Sequence, residues 1–214
     1  MANLITLSRL LLLIVVIVIV YRPIGLLHLL NVPLLILVFV TDGLDGYIAR
    51  RRNETSQFGA MFDIAGDRIV ELSMWVVLAH VHLVPVWVPL VFVVRGTIVD
   101  AIRTSQATGR RESPFEFMQT PWGQWLVAGR FMRALYAVVK ATAFCWLLLM
   151  QPLPALVPDL WQEYGGAGTL VGRVLVLAAA LLCVVRGLPV VVEFVYQERR
   201  SILGSLIRTD AAGR

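Results

Sequence analysis

The sequence predicts an all-α integral membrane protein with about six transmembrane helices and both termini in the cytoplasm. Three observations predict this fold class: the apolar composition, the length of the apolar runs and the positions of the basic residues. Of the 214 residues, 58% are hydrophobic, and the mean hydropathy is +0.79. Soluble domains contain about 45–50% apolar residues, so the composition excludes an ordinary soluble protein.

Six apolar runs approach the length of a membrane span, which needs about 20 mostly apolar residues. The runs are Ile5 to Tyr21, Ile24 to Val40, Ile69 to Pro89, Val86 to Ile102, Ala134 to Met150 and Leu170 to Val195. The third and fourth runs meet at Pro85 and Pro89, where we expect a turn between helices. The first run lacks the basic flank and cleavage site of a signal peptide, so we expect a retained helix.

Basic residues cluster at alternate ends of these runs. The clusters are Arg50, Arg51 and Arg52, then Arg103, Arg110 and Arg111, then Arg199, Arg200 and Arg208. The positive-inside rule places all of them, and both termini, in the cytoplasm. The net charge of +5 is therefore explained by topology, and we expect no nucleic-acid partner.

The domain organisation predicted from this pattern is simple. We expect one transmembrane domain over residues 1–200 and a short cytoplasmic tail over 201–214. The segment from Gln151 to Gly168 is rich in proline and glycine, and we expect it to be a loop on the outer side.

The charged segment from Thr41 to Arg68 contains four aspartates, Asp42, Asp45, Asp63 and Asp67. Residues three or four apart share a helical face, so each aspartate faces the same way as its near neighbour. If the flanking helices pair through the connection from Arg51 to Phe58, the carboxylates converge at the cytoplasmic membrane boundary. Carboxylates so close repel one another, and acids at such positions are rare and usually functional. A bound divalent metal would relieve this repulsion, and an all-oxygen site suits magnesium or manganese.

The same segment resembles the signature of the CDP-alcohol phosphotransferase family. Eight positions match at the family's spacing: Asp42, Asp45, Gly46, Ala49, Arg50, Gly59, Asp63 and Asp67. The resemblance implies a cell-membrane enzyme that transfers a phosphatidyl group from CDP-diacylglycerol to an alcohol and releases CMP. It also implies a homodimer in membrane lipid, with the active site at the cytoplasmic face.

The resemblance further implies two divalent ions, Mg²⁺ or Mn²⁺, in the acidic site. Paired metals of this kind lie about 3.5–4 Å apart and clamp the entering and leaving oxygens. By similarity, Asp42 and Asp63 bridge both ions. Asp45 binds one ion, whereas Asp67 lies near the other and takes the proton of the acceptor hydroxyl. The alternative is that all four aspartates are ligands only and solvent takes the proton.

The CDP-lipid is expected to bind along the signature and the opening Asn-Leu-Ile-Thr. The fork of Arg50 matches phosphate oxygens, and glycine permits close approach of a ligand or of another helix. The resemblance adds Ser56, Asn3 and Thr6, so the expected contacts are Asn3, Thr6, Gly46, Ala49, Arg50, Ser56 and Gly59. Asn3 and Thr6 also suit a cap of the first helix.

Five arginines near the last three runs are predicted to bind the acceptor: Arg95, Arg103, Arg130, Arg133 and Arg186. Arg95 and Arg186 lie within apolar sequence, where a charge needs a partner or a polar cavity. A phosphorylated acceptor would satisfy them. Snorkelling towards the membrane surface is the alternative role of Arg186.

The Arg-x7-Arg spacing and an opening Asn-x-x-Thr-x-x-Arg that ends at Arg9 resemble the phosphatidylglycerophosphate synthases of this family. That resemblance implies glycerol 3-phosphate as the acceptor. Gly96 and the start of the fifth run at Gly129 depart from their pattern, so inositol phosphate or another polar alcohol stays open. A divalent-cation transporter is the remote alternative, and it does not explain the match at Arg50.

Overall fold

The computed structural model describes the backbone over residues 2–52, 57–109, 125–126 and 129–212. Side chains are described over the narrower ranges 6–41, 59, 61–102, 125–126 and 129–196. The described backbone consists of helices joined by short connections and contains no strand. The all-α prediction is confirmed to that extent.

The α-helices of the described backbone are α1 (Ala2–Val20), α2 (Asn31–Arg52), α3 (Gln57–His80), α4 (Trp87–Gly109), α5 (Arg130–Met150), α6 (Leu153–Leu156) and α7 (Pro158–Ala212). A short 3₁₀ helix, Leu26–Leu30, precedes α2. The break between α3 and α4 contains Pro85, as predicted, and His82 adopts a φ of 60° there. Pro89 lies in the first turn of α4, where the missing N–H of a proline costs little.

The prediction of a loop from Gln151 to Gly168 was wrong, because this segment is largely helical. Its prolines lie at helix starts, with Pro152 before α6 and Pro158 at the first position of α7, where proline fits well. Two of its glycines, Gly165 and Gly168, serve close packing instead of a turn. An added Cβ at Gly165 would lie 2.7 Å from the indole ring of Trp161. Helix α7 then continues to Ala212, through the predicted tail.

The chain divides into two compact units. The first unit comprises Met1–Leu90 and Val138–Ala179, and the second comprises Val91–Ala137 and Ala180–Arg214. The core of the first unit contains Trp75 and Phe144, which are fully buried with ring centroids 4.5 Å apart. In the second unit, a smaller cluster contains the buried residues Val99, Ile102 and Val190.

Among the described residues, two helical stretches are long and apolar enough to cross a membrane, Arg130–Leu156 and Pro158–Tyr196. Thr6–Val20 and Leu26–Thr41 are shorter apolar helical stretches. Many large apolar side chains on these helices are exposed, Leu11 and Leu181 among them. Exposed apolar surface of this extent is typical of a protein that contacts lipid or another protein.

Candidate functional site

An arginine of α1 lies against two predicted metal-binding carboxylates of α3. The Nη2 atom of Arg9 is 3.0 Å from Oδ1 of Asp67 and 3.8 Å from Oδ1 of Asp63. The Arg9 side chain is 1% exposed, whereas the Asp63 and Asp67 side chains are 48% and 56% exposed. The two acids therefore share one face of α3, and a buried guanidinium compensates their charge.

Gly66 of α3 leaves room for the Arg9 side chain of α1 to lie close to the two acids. A Cβ atom at Gly66 would lie 2.7 Å from Nη2 of Arg9 and 2.8 Å from Cγ2 of Thr6. Both distances are too short for real atoms, so a side chain at this position would displace the side chains of Arg9 and Thr6 from their present positions. Gly66 was not among the residues predicted from the sequence, although its position directly before Asp67 was a usable signal. Thr6, predicted to contact the CDP-lipid, is buried in this helix contact.

A second charged cluster lies one turn further along α3. Glu71 is 5% exposed and accepts hydrogen bonds from Nη1 of Arg68 at 3.1 Å and Nζ of Lys140 at 2.8 Å. A buried carboxylate is costly unless it is paired, and these two cations pair it. Lys140 is the only lysine in the sequence and lies within an apolar run. That isolated position was the signal by which sequence analysis could have found this cluster.

The surroundings of Asp63 and Asp67 raise both pKa values above that of an ordinary aspartate. Although each side chain is about half exposed, partial burial is the largest cause for both residues. The charge of Asp67 raises the pKa of Asp63 further, and Arg9 opposes these effects. For Asp67, Arg9 and then Lys140 oppose the rise. A raised pKa brings a carboxylate closer to the range in which it works as a base.

The chemistry of this face fits a hard divalent cation. Asp63 and Asp67 offer carboxylate oxygens, the ligands that Mg²⁺ and Mn²⁺ prefer. Oδ1 of Asp63 is buried and accepts no hydrogen bond from a described residue. Among the described side chains, no cluster of three potential metal-ligating residues occurs. The other two predicted ligands, Asp42 and Asp45, lie in α2, and their side chains are outside the described set.

Most of the predicted CDP-lipid contacts lie outside the described side chains. Asn3 is in α1, and Gly46, Ala49 and Arg50 are in α2, with only their helical backbone described. Ser56 lies outside the described residues altogether. Gly59 is half-buried in α3. The assignment of these residues to the CDP-lipid stays a prediction.

The second unit holds two of the predicted acceptor arginines, Arg186 on α7 and Arg95 on α4. Arg186 is 9% exposed, and its Nη1 donates a long hydrogen bond of 3.5 Å to the carbonyl oxygen of Met132. Its guanidinium carbon also lies 5.1 Å from the centre of the Tyr136 ring. The side chain of Arg95 contacts the next residue of α7, because a Cβ at Gly187 would lie 2.8 Å from its Cγ atom.

The remaining acceptor arginines are less enclosed or not described. Arg130 and Arg133 are exposed at the start of α5, and the side chain of Arg103 is outside the described set.

Nε of Arg95 is buried and has no hydrogen-bond partner among the described residues. An unsatisfied buried donor of this kind is costly unless a ligand or water accepts its proton. Arg95 is therefore the strongest acceptor-binding candidate in the second unit.

The sequence is similar to a known protein family and to individual proteins of known name. Residues 1–185 match the family described as CDP-alcohol phosphatidyltransferase. A protein of Salmonella choleraesuis named CDP-diacylglycerol–glycerol-3-phosphate 3-phosphatidyltransferase is 29% identical over 169 residues, which are 77% of this chain and 81% of that protein. The protein of the same name from Escherichia coli K12 is 31% identical over 132 residues, which are 59% of this chain and 60% of that protein.

Substituting Gly66 tests the contact between α1 and α3. We expect Gly66→Ala to destabilise the protein by about 1–3 kcal/mol, because the added methyl group overlaps Arg9 and Thr6. Thermal unfolding in detergent measures the change. Gly166→Ala is the matched control, since a Cβ there would meet no atom within 4 Å. An equal effect of both substitutions would contradict the close approach.

Removing the charge of Lys140 tests the second cluster. We expect Lys140→Met to cost about 1.5–3 kcal/mol of stability, because buried Glu71 loses one of its two charged donors. Combining it with Glu71→Gln should recover part of that loss, since the buried charge is then also removed. Unfolding measurements on both single variants and the double variant give the coupling. Strictly additive effects would show that the two residues do not interact.

Proposed function

Because the chain belongs to the CDP-alcohol phosphatidyltransferase family, we propose that it transfers the phosphatidyl group of CDP-diacylglycerol to glycerol 3-phosphate. Family membership makes it a transferase of phospholipid synthesis. The names of the relatives, which specify glycerol 3-phosphate, support this acceptor. The observation that carries the proposal in the structure is the pair of carboxylates, Asp63 and Asp67, gathered around Arg9.

Four aspartates are proposed to hold two divalent cations, Mg²⁺ or Mn²⁺. Asp42, Asp45, Asp63 and Asp67 would hold the ions through their carboxylate oxygens. When bound, such ions stabilise charge that develops on phosphoryl oxygens. The supporting observation is that Oδ1 of Asp63 accepts no hydrogen bond from a described residue and lies beside the half-exposed carboxylate of Asp67.

Asp67 is proposed to take the proton of the acceptor hydroxyl. The freed oxygen then forms a bond to the phosphorus that carries the diacylglycerol, and CMP leaves with the oxygen that linked the two phosphates. Opposing influences on Asp67 suit this task, because burial raises its pKa while Arg9 and Lys140 favour its ionised form. If Asp67 is a ligand only, solvent takes the proton.

The CDP-lipid is proposed to contact the residues of the signature and of the first helix. Arg50 would bind a nucleotide phosphate through its planar fork. The other contacts are proposed for Asn3, Thr6, Gly46, Ala49, Ser56 and Gly59. Gly59 has no side chain and would leave space for the ligand. Thr6 would offer its hydroxyl group.

The phosphate of the acceptor is proposed to bind arginines of the second unit. Arg95 supports this best, because its buried Nε lacks a partner among the described residues. Arg186 would assist, and Arg103, Arg130 and Arg133 are further candidates. Inositol phosphate is the alternative acceptor, since it offers the same phosphate to these arginines.

The finer membrane arrangement is part of the proposal. We propose six transmembrane spans within residues 1–200, with both termini and the tail 201–214 in the cytoplasm. The active site would then lie at the cytoplasmic face of the cell membrane. We also propose that the chain forms a homodimer, as expected from the family resemblance.

Release of CMP tests the function directly. Purified protein with CDP-diacylglycerol, glycerol 3-phosphate and Mg²⁺ or Mn²⁺ should release CMP, and EDTA should abolish the release. Asp63→Asn should lower the rate at least about 100-fold, because it removes a charge on which the metal site depends. Asp159→Asn, an exposed acid at the start of α7, is the control and should leave the rate unchanged. Divalent-ion flux without any CMP would instead identify a transporter.

Substituting Arg95 tests the acceptor assignment. We expect Arg95→Gln to raise the KM for glycerol 3-phosphate about 10- to 100-fold, since a charge-assisted hydrogen bond contributes about 1.5–3 kcal/mol. Binding of the CDP-lipid should not change. Arg22→Gln is the control, because Arg22 is exposed between α1 and the 3₁₀ helix. An unphosphorylated alcohol such as serine that outcompetes glycerol 3-phosphate would disprove the acceptor assignment.

A further inference from the structure

Two adjoining cavities of the first unit lie far from the acidic site. Their volumes are about 320 and 420 Å³, and both are lined by Trp146, Met150, Trp161 and Gly168. We call them together the Trp146–Trp161 groove. Cavities that bind small ligands typically have volumes of about 300–1,000 Å³. The groove is therefore large enough for part of a lipid molecule.

The groove is separate from the carboxylates along α3. His82, Leu83 and Val84, which follow the end of α3, line the smaller cavity. Asp63 and Asp67 lie near the start of the same helix. The helix rises about 1.5 Å per residue, so Asp67 and the groove are roughly 20 Å apart along its axis. A molecule in the groove is thus not positioned for the transfer reaction.

The larger cavity has an aliphatic and aromatic wall. It is formed by Leu153, Val157, Leu160, Tyr164, Ala167 and Val171, together with the shared tryptophans. The indole Nε1 of Trp146 donates a hydrogen bond of 2.9 Å to the carbonyl oxygen of Gly168, so its polar atom is satisfied. A Cβ at Gly168 would lie 2.8 Å from Sδ of Met150. The wall therefore offers apolar contacts, which suit a hydrocarbon chain.

The smaller cavity adds a positive charge to this apolar surface. Arg173 lines it from α7 and forms no ion pair or hydrogen bond within the described part of the chain. Oε1 of Gln151, another lining residue, is buried and also lacks a partner there. Arg173 is exposed, so its guanidinium is accessible to an anion. Its planar fork matches the oxygens of a phosphate group.

We propose that the Trp146–Trp161 groove binds one anionic phospholipid of the surrounding membrane. One acyl chain lies against the wall formed by Val157, Leu160 and Val171, and the phosphate accepts hydrogen bonds from Arg173. The adjacent apolar wall and the charge of Arg173 together select this occupant over a free phosphate or an uncharged lipid. The proposal rests on the proposed function only in placing the chain in a membrane.

Native mass spectrometry with defined lipids tests the headgroup contact. Purified protein in detergent is titrated with phosphatidylglycerol or phosphatidylcholine that carry the same acyl chains. We expect one phosphatidylglycerol to bind about tenfold more tightly than phosphatidylcholine, and Arg173→Gln to abolish that preference. Arg22→Gln, an exposed arginine outside the groove, should keep it. Equal binding of both lipids to the unmodified protein would overturn the proposal, as would an unchanged preference in Arg173→Gln.

A second pair of variants tests the acyl-chain contact. Val171 lines the groove and is 43% exposed, so Val171→Phe should fill it without disturbing the core and weaken binding of both lipids. Val174 is 57% exposed and does not line the groove, so Val174→Phe should bind both lipids normally. Equal lipid binding by these two variants would refute the site. Dimer dissociation in Val171→Phe without loss of lipid would assign the groove to a second copy of the chain.

Release of CMP by the same preparations separates the two proposals. Selective binding of phosphatidylglycerol without CMP release would leave the groove assignment standing and refute the transfer reaction. Normal CMP release without lipid selectivity would support the transfer reaction and refute the groove assignment. The Arg173→Gln variant should release CMP at the normal rate when substrate is saturating, because Arg173 lines a cavity at the end of α3 that is opposite to the acids.

Discussion

The acidic site depends on one buried contact, that of the Arg9 guanidinium with Asp63 and Asp67. Two carboxylates on one helical face repel each other, and their repulsion rises as water is excluded. The guanidinium offsets this repulsion without filling the face that a metal would occupy, since both carboxylates stay about half exposed. The contact in turn requires a glycine at position 66. Charge compensation and helix packing are therefore one constraint at this point of the fold.

Charge compensation and close approach at a glycine also occur elsewhere in the molecule. Glu71 is paired by Arg68 and Lys140, so the acids described around the site are matched by nearby cations. In the second unit, Gly187 admits Arg95 as Gly66 admits Arg9, because each glycine leaves room for an arginine of another helix. Both contacts restrict the freedom of the arginine side chains. We propose that this restriction favours the binding of phosphorylated substrates.

Much of this arrangement follows from the sequence, but its pairings do not. The apolar runs predicted the long helices, and the spacing of Asp63 and Asp67 predicted their common face. The family inferred from the signature is confirmed. By contrast, Lys140 is 69 positions from Glu71, and nothing local in the sequence indicates that these charges meet. The segment after Gln151 was misjudged because its prolines and glycines favour a loop locally, whereas helix starts and packing against Trp161 use them instead.

We propose that the face of α3 beside Arg9 performs the chemistry. Asp67→Asn tests this, because the change keeps the shape of the side chain but removes its basicity. We expect turnover to fall about 10²–10⁴-fold while the Kd for CDP-diacylglycerol stays within a few-fold of the unmodified protein. Near-normal turnover would show that Asp67 is not required for the chemistry, and a parallel collapse of affinity would show that Asp67 serves as a metal ligand and not as the base.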